Sequence, residues 1–292
     1  MRKFFVKILV IFGLLPCVLY SWQGPEVKNG PVTTRLVTES NVSPGVSSFE
    51  IGWWIKREKG WHTYWESPGD VGVPPTLKWN LPEGIILREM HYAPPQLVKM
   101  FKVFAHGHKD ESLFIFRFDV KRKLQHGEEL SFSAKASWLA CFTTCLPSYD
   151  NLEITIPVQN ETGTDNRWHP YFRDFREKQP VSPPSGWLSR CNAEILKEKK
   201  GEKEFVIFRF PWDENGPLPL FRFFGDGRFI RSNIFQIPKK IFEQNGGGMV
   251  EISMELSYWR DPDQKELKGL LYRANGWPSA GTGFYKVTVP LQ

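Results

Sequence analysis

The sequence predicts an all-β protein built as two β-sandwiches behind an N-terminal signal peptide. Three observations carry this. Apolar residues recur with a period of two through most of the chain, the signature of half-buried strands. Of the 292 residues 15% are aromatic, with 23 Phe and 12 Trp, and 24 Gly and 23 Pro accompany them; aromatics suit strands, and Gly and Pro suit the turns between them. No long stretch holds the 3.6-residue period of an amphipathic helix. A chain of this length makes one large domain or two smaller ones.

At the N-terminus Arg2 and Lys3 precede an apolar stretch, Phe4 to Tyr20, broken only by Lys7. The uninterrupted part, Ile8 to Tyr20, has the length of a signal-peptide core and is short for a bilayer span. Residues 1–21 are expected to be a signal peptide, cleaved near Ser21. Cys17 faintly resembles a lipoprotein box, but Pro16 before it fits poorly. No later segment reaches the roughly 18 consecutive apolar residues of a spanning helix. The expected mature protein is periplasmic or otherwise extracytoplasmic.

The first unit is expected over residues 22–160. Phe49, Ile51, Trp53 and Ile55 alternate with Glu50, Gly52, Trp54 and Lys56; Phe114, Phe116, Phe118 and Val120 share a face. Leu130, Phe132, Ala134, Ala136, Trp138 and Ala140 line one side of a strand that runs into Cys141, and Leu152, Ile154, Ile156 and Val158 line another. Residues 161–186 break the pattern: a polar turn, a stretch from His169 to Lys178 that can hold a short helix, and the segment Gln179–Gly186, too rich in proline for regular structure. They are read as a linker. Alternation resumes over 187–292, with an apolar run Phe205–Phe210, a face of Val250, Ile252, Met254, Leu256 and Tyr258, and another of Tyr285, Val287 and Val289. Gly246-Gly247-Gly248 marks a turn, and the charge run Lys197–Lys203 a solvated hairpin edge.

Three cysteines remain without the signal: Cys141, Cys145 and Cys191. Extended, a C-x3-C pair lies about 13 Å apart at Cα, whereas a disulfide needs about 5.5 Å, so bonding demands a sharp turn through Phe142-Thr143-Thr144. A ring this small constrains the unfolded chain by only about 2 kcal/mol. The spacing admits three chemistries: an exchangeable disulfide, a structural one, or a metal site. Cys191, far along the chain, reads as a buried thiol. His106-Gly107-His108 places two imidazoles on one face of a strand, weak candidates for a metal shared with the cysteine pair.

Charge and motifs exclude other classes. The 38 basic residues include Arg2, Lys3 and Lys7 of the signal; the remaining 35 stand against 32 acidic ones. A net charge of about +3 gives no basic footprint for nucleic acid. No P-loop, G-x-S-x-G or G-x-G-x-x-G occurs, and no cofactor is implied.

Two blocks have distinctive wording: Gly60-Trp61-His62-Thr63-Tyr64-Trp65-Glu66-Ser67-Pro68-Gly69-Asp70, continuing to Pro74-Pro75, and Ser137-Trp138-Leu139-Ala140-Cys141-Phe142-Thr143-Thr144-Cys145-Leu146-Pro147. With a closing Gly283-Phe284-Tyr285-Lys286-Val287 they resemble the extracytoplasmic N-terminal region of the DsbD family of thiol–disulfide interchange proteins, most of all its ScsB-like branch. The resemblance spans about Val32 to Pro290. It implies an immunoglobulin-like fold and a cysteine pair that exchanges disulfides with thioredoxin-like periplasmic oxidoreductases. Cys145 would pair with the partner and Cys141 would resolve. The family's membrane and thioredoxin-like parts are not in this sequence, so a separate membrane electron-transfer protein is expected as a partner. Pro94–His108 would form a loop shielding the cysteines, with Phe101 or Phe104 as the cap. His62, Tyr64, Trp138 and Pro147 are the expected supports. The branch is also linked with copper tolerance, which joins the metal reading to the alternatives, beside a non-catalytic binding or scaffold protein with a structural disulfide.

Overall fold

The structure, a computed structural model, describes residues 22–160, 167–197, 203–212, 214, 216–242, 248–278 and 280–292. The expected signal peptide with Cys17, most of the charge run and most of the triple-glycine turn lie outside the described residues.

The first half contributes eleven strands: β1 (Val27–Asn29), β2 (Val32–Val37), β3 (Ser48–Arg57), β4 (Thr63–Tyr64), β5 (Thr76–Asn80), β6 (Ile85–His91), β7 (Gln96–Met100), β8 (Val103–His108), β9 (Glu111–Val120), β10 (Glu129–Cys141) and β11 (Cys145–Pro157). A five-stranded sheet, β1-β2-β3-β9-β6, faces a three-stranded sheet, β11-β10-β5. Between them lies a core of Trp53, Phe114, Phe116, Phe118, Leu130, Phe132, Trp138, Ile154 and their neighbours, all buried. The period-two faces read from the sequence meet here, because alternate side chains of a strand point to one side.

The alternation of β3 is broken on purpose. Gly52 and Trp54, on the face that alternation assigns to solvent, are also buried. Helix α1 (His169–Lys178) covers that face. Its Phe172 and Phe175, with Trp168 before it, pack against Val37, Trp54, Leu113 and Ile115. Pro170 in the first turn costs no hydrogen bond there. The segment read as a linker thus carries a helix seated on the first unit.

A small third sheet, β4-β8-β7, flanks the end of β10. Arg57 fixes it in place. This buried guanidinium donates to Thr63 Oγ1 at 2.9 Å and Ser112 Oγ at 2.8 Å, joining β3, β4 and β9.

The second half adds β12 (Asn192–Lys197), β13 (Glu204–Pro211), β14 (Phe221–Gly225), β15 (Pro238–Phe242), β16 (Gly248–Glu255), β17 (Glu266–Arg273) and β18 (Phe284–Pro290). Sheets β12-β13-β16-β15 and β14-β17-β18 enclose a separate core built on Phe208, Phe210, Phe221, Phe223, Val250, Ile252, Trp277 and Tyr285. Tyr258, expected on the core face of β16, lies beyond the strand's end and is exposed. The edge of β14 is closed by a side chain: Gln236 accepts from Phe223 N at 2.6 Å and donates to Phe223 O at 2.8 Å. All sheets are antiparallel, and the fold is the expected all-β, immunoglobulin-like sandwich class.

Candidate functional site

β10 and β11 form a hairpin of two 13-residue strands whose last register pair is Cys141 opposite Cys145. The three intervening residues, Phe142, Thr143 and Thr144, are exposed and close the loop through Phe142 N to Thr144 O at 2.9 Å. The Cα atoms are 4.2 Å apart and the two sulfurs are bonded. The sharp turn that bonding required is a hairpin tip.

The two cysteines are held differently. Cys141 is completely buried, while Cys145 is partly exposed. Cys141 is also fixed through its backbone: its N–H donates to His62 O at 2.9 Å, and His62 N–H donates to its carbonyl at 3.0 Å. This bridge ties β10 to the small sheet. Two residues on, the Tyr64 hydroxyl donates to Cys141 Sγ at 3.2 Å. Tyr64 is buried, which raises its pKa, so the phenol keeps its proton. Gly72, at φ +102°, lies so close that a Cβ there would sit 2.2 Å from the Tyr64 ring, so a side chain at 72 would push the phenol away.

His62 packs edge-on to Tyr64 with centroids 5.4 Å apart. Burial, with Lys109 and Arg57 nearby, lowers its pKa to about 4, so it is neutral near pH 7. Trp138 is buried in the core two residues from the site strand's last alanine. Pro147 lies on β11, an edge strand, where a missing N–H leaves no ladder bond unmade.

The β7–β8 hairpin carries the cap candidates, and strand alternation separates them. Val98, Met100 and Ala105 share the face that packs with Tyr64, Cys141 and Cys145. Met100 Sδ lies 3.3 Å from Cys145 Sγ, a direct sulfur–sulfur contact, since a bonded Cys145 has no proton to donate. Sequence reasoning missed this residue; its place two positions from Val98 on an apolar strand was the available signal. Phe104 belongs to the opposite face. Its ring meets Phe235 of the second half at 5.4 Å and Lys99 at 5.3 Å. Phe101, at the hairpin tip with φ +52°, is 67% exposed.

The two imidazoles of the H-x-H motif share the face of Phe104, not that of the cysteines. His106 Nδ1 donates to Ser67 O at 3.0 Å and His108 Nε2 to Ala93 O at 2.9 Å. Both are buried, and burial lowers their pKa values to about 4 and about 3. The metal reading is therefore corrected: period two turns these rings away from the disulfide. No group of three or more His, Cys, Asp or Glu able to hold a metal occurs among the described residues. Cys191 is a free thiol whose pKa burial pushes up to about 12.

The block around Pro68-Gly69-Asp70, whose residue types suit a turn, is also the contact between the halves. Asp70 N–H donates to Ser232 Oγ at 3.0 Å, and Asp70 Oδ2 accepts from Asn233 N–H at 3.2 Å. Ser67 Oγ accepts from Gly227 N–H at 3.0 Å. Nothing in the local sequence announces partners about 160 residues away.

Comparison with known proteins agrees with this geometry. Residues 35–157 match the family described as thiol:disulfide interchange protein DsbD, N-terminal. The crystal structure of the N-terminal periplasmic domain of ScsB from Proteus mirabilis superposes with a TM-score of 0.62 at 16% identity, covering 93% of this chain and 99% of that one. No curated protein sequence matches significantly. Residues 35–157 are thus similar to the DsbD N-terminal family, and the chain as a whole shares the fold of the ScsB N-terminal periplasmic domain.

Proposed function

We propose that the protein is an extracytoplasmic thiol–disulfide exchange module that relays two electrons through Cys141 and Cys145 to or from thioredoxin-like partners. The observation that carries this reading is the asymmetry of the pair: one sulfur buried, hydrogen-bonded and pinned, the other partly exposed at a hairpin tip. The DsbD match over 35–157 supports the class of chemistry. The basic start and apolar run of residues 1–21 support export. The two separate cores support a division into domains 22–160 and 187–292, joined through 161–186.

In the oxidised protein a partner thiolate attacks Cys145 Sγ, and Cys141 leaves as a thiolate. The partner's second thiolate then attacks the partner sulfur of the mixed disulfide, releasing Cys145 and forming the partner's own disulfide. The module now holds two electrons as a dithiol. In the forward step the Cys145 thiolate attacks the next partner's disulfide and Cys141 resolves the mixed disulfide. The Tyr64 O–H stabilises whatever negative charge Cys141 carries, because a hydrogen bond to the ionised form favours it. Met100 stands against Cys145 and limits approach by small thiols; a partner displaces this unbranched side chain. A separate membrane protein supplies the electrons.

The test is the reduction potential of the pair, from equilibration in thiol buffers followed by trapping of free thiols in the Cys191→Ala variant. A potential well above about −300 mV, with rapid exchange to a thioredoxin-like protein, is expected. A pair that stays oxidised until the protein unfolds would make the disulfide structural and overturn the relay.

A further inference from the structure

A cleft of about 1130 Å³ opens between the two units, somewhat larger than the usual small-ligand site. Its second-unit wall is the outer face of β14-β17-β18. Period two brings Leu220, Arg222 and Phe224 to that wall, beside Tyr272 and Phe284. The first unit faces them with Leu97 and His108, and helix α1 closes one end.

Arg222 is the odd member. Its Nη1 is shielded from solvent and has no hydrogen-bond partner among the described residues. Burial lowers its pKa, and no carboxylate among the described residues offsets that burial. The acidic groups of the cleft are engaged elsewhere: Glu111 with Lys56 and Tyr171, Asp174 with Lys178, and Glu177 with Arg173. Arg222 is half-buried, and guanidinium nitrogens withdrawn from solvent are ordinarily paired. A planar fork of donors set among aromatic rings matches a carboxylate carrying an apolar body.

We propose that this cleft binds a small amphipathic organic anion, a carboxylate with an aromatic or aliphatic body, anchored by Arg222. The site is distinct from the disulfide and does not depend on the redox reading. The probe is 4-phenylbutyrate, titrated calorimetrically into the full oxidised protein, with the uncharged 4-phenylbutan-1-ol as its neutral counterpart. The expected result is saturable one-to-one binding of the acid, at least tenfold tighter than the alcohol. Arg222→Gln should weaken the acid at least tenfold and leave the alcohol unchanged, and Arg222→Lys should lose less. Absence of saturable binding, equal binding of acid and alcohol, or unchanged binding in Arg222→Gln would each overturn the proposal. The acid–alcohol comparison on the unmodified protein keeps the test decisive if Arg222→Gln does not fold.

Discussion

Both units close antiparallel hairpins over aromatic cores, yet they treat sulfur in opposite ways. In the first, the β10–β11 hairpin carries two cysteines to its tip, where Cys145 is partly exposed and Cys141 is gripped from both sides. In the second, Cys191 stands half-buried before β12 with a pKa near 12, so its thiolate is scarce. Reactivity of a thiol follows thiolate character and access, not the presence of sulfur. The difference teaches that the sandwich is a rigid stand, and that chemistry resides where a hairpin tip meets the small sheet β4-β8-β7. The histidines sharpen the contrast, since the buried, proton-excluding His62, His106 and His108 all belong to the first half.

The largest expected effect breaks the symmetry between the two site cysteines. With Cys141→Ser, the remaining Cys145 thiol should react with an aromatic disulfide reagent on the order of 100-fold faster than the Cys141 thiol left by Cys145→Ser, because access limits the latter. Cys191→Ala should leave exchange at the pair unchanged. Stopped-flow absorbance measures both, with the two Ser variants made in the Cys191→Ala background so that each keeps one site thiol; equal rates for these two forms would remove the asymmetry on which attack at Cys145 rests.

Acid separates the halves next. The three histidines titrate near 6.5 when unfolded but only at about 4, 4 and 3 when folded. Below pH 6.5 the unfolded state therefore binds more protons, and stability falls as pH drops through the window from 6.5 towards 4. Each histidine contributes up to about 1.4 kcal/mol per pH unit there. Hydrogen exchange at pH 5 should show β4, β7 and β8 losing protection before β13 and β16. Equal loss in both halves would mean that the inter-unit contacts make them one cooperative body.

Smaller effects probe the sulfur environment. Met100→Ala should speed reduction of the disulfide by dithiothreitol several-fold with little change in thermal midpoint; an unchanged rate would deny Met100 a shielding role. Tyr64→Phe removes one hydrogen bond worth about 1 kcal/mol. The potential should fall by about 20 mV, because the reduced form loses more than the oxidised one. A rise instead would show that the hydroxyl favours the disulfide.

Much of this was legible in the sequence. The core faces of β3, β9, β10 and β11 follow the alternation residue by residue, since a buried face tolerates no register slip. A sharp turn at C-x3-C followed from chain reach once the two cysteines are taken to bond. What was illegible depended on distance. Alternation put Trp54 on the face opposite the core, and only α1, far along the chain, buries it there. Phe104 looked like a cap until its strand neighbour Ala105 took the cysteine face. Asp70 looked like a turn residue until Asn233 met it. Local pattern fixes which side chains share a face, but not which face meets which neighbour.

Gln236 has a consequence beyond its own two hydrogen bonds. An edge strand with a bare donor and acceptor is an open template on which a second copy can pair, and a sheet with both edges open can go on growing. By occupying both backbone groups of Phe223, the Gln236 amide acts as a chain terminator, and the sheet becomes finite at β14. The colloidal fate of a concentrated solution of this protein thus hangs partly on one side-chain amide, far from any reacting sulfur.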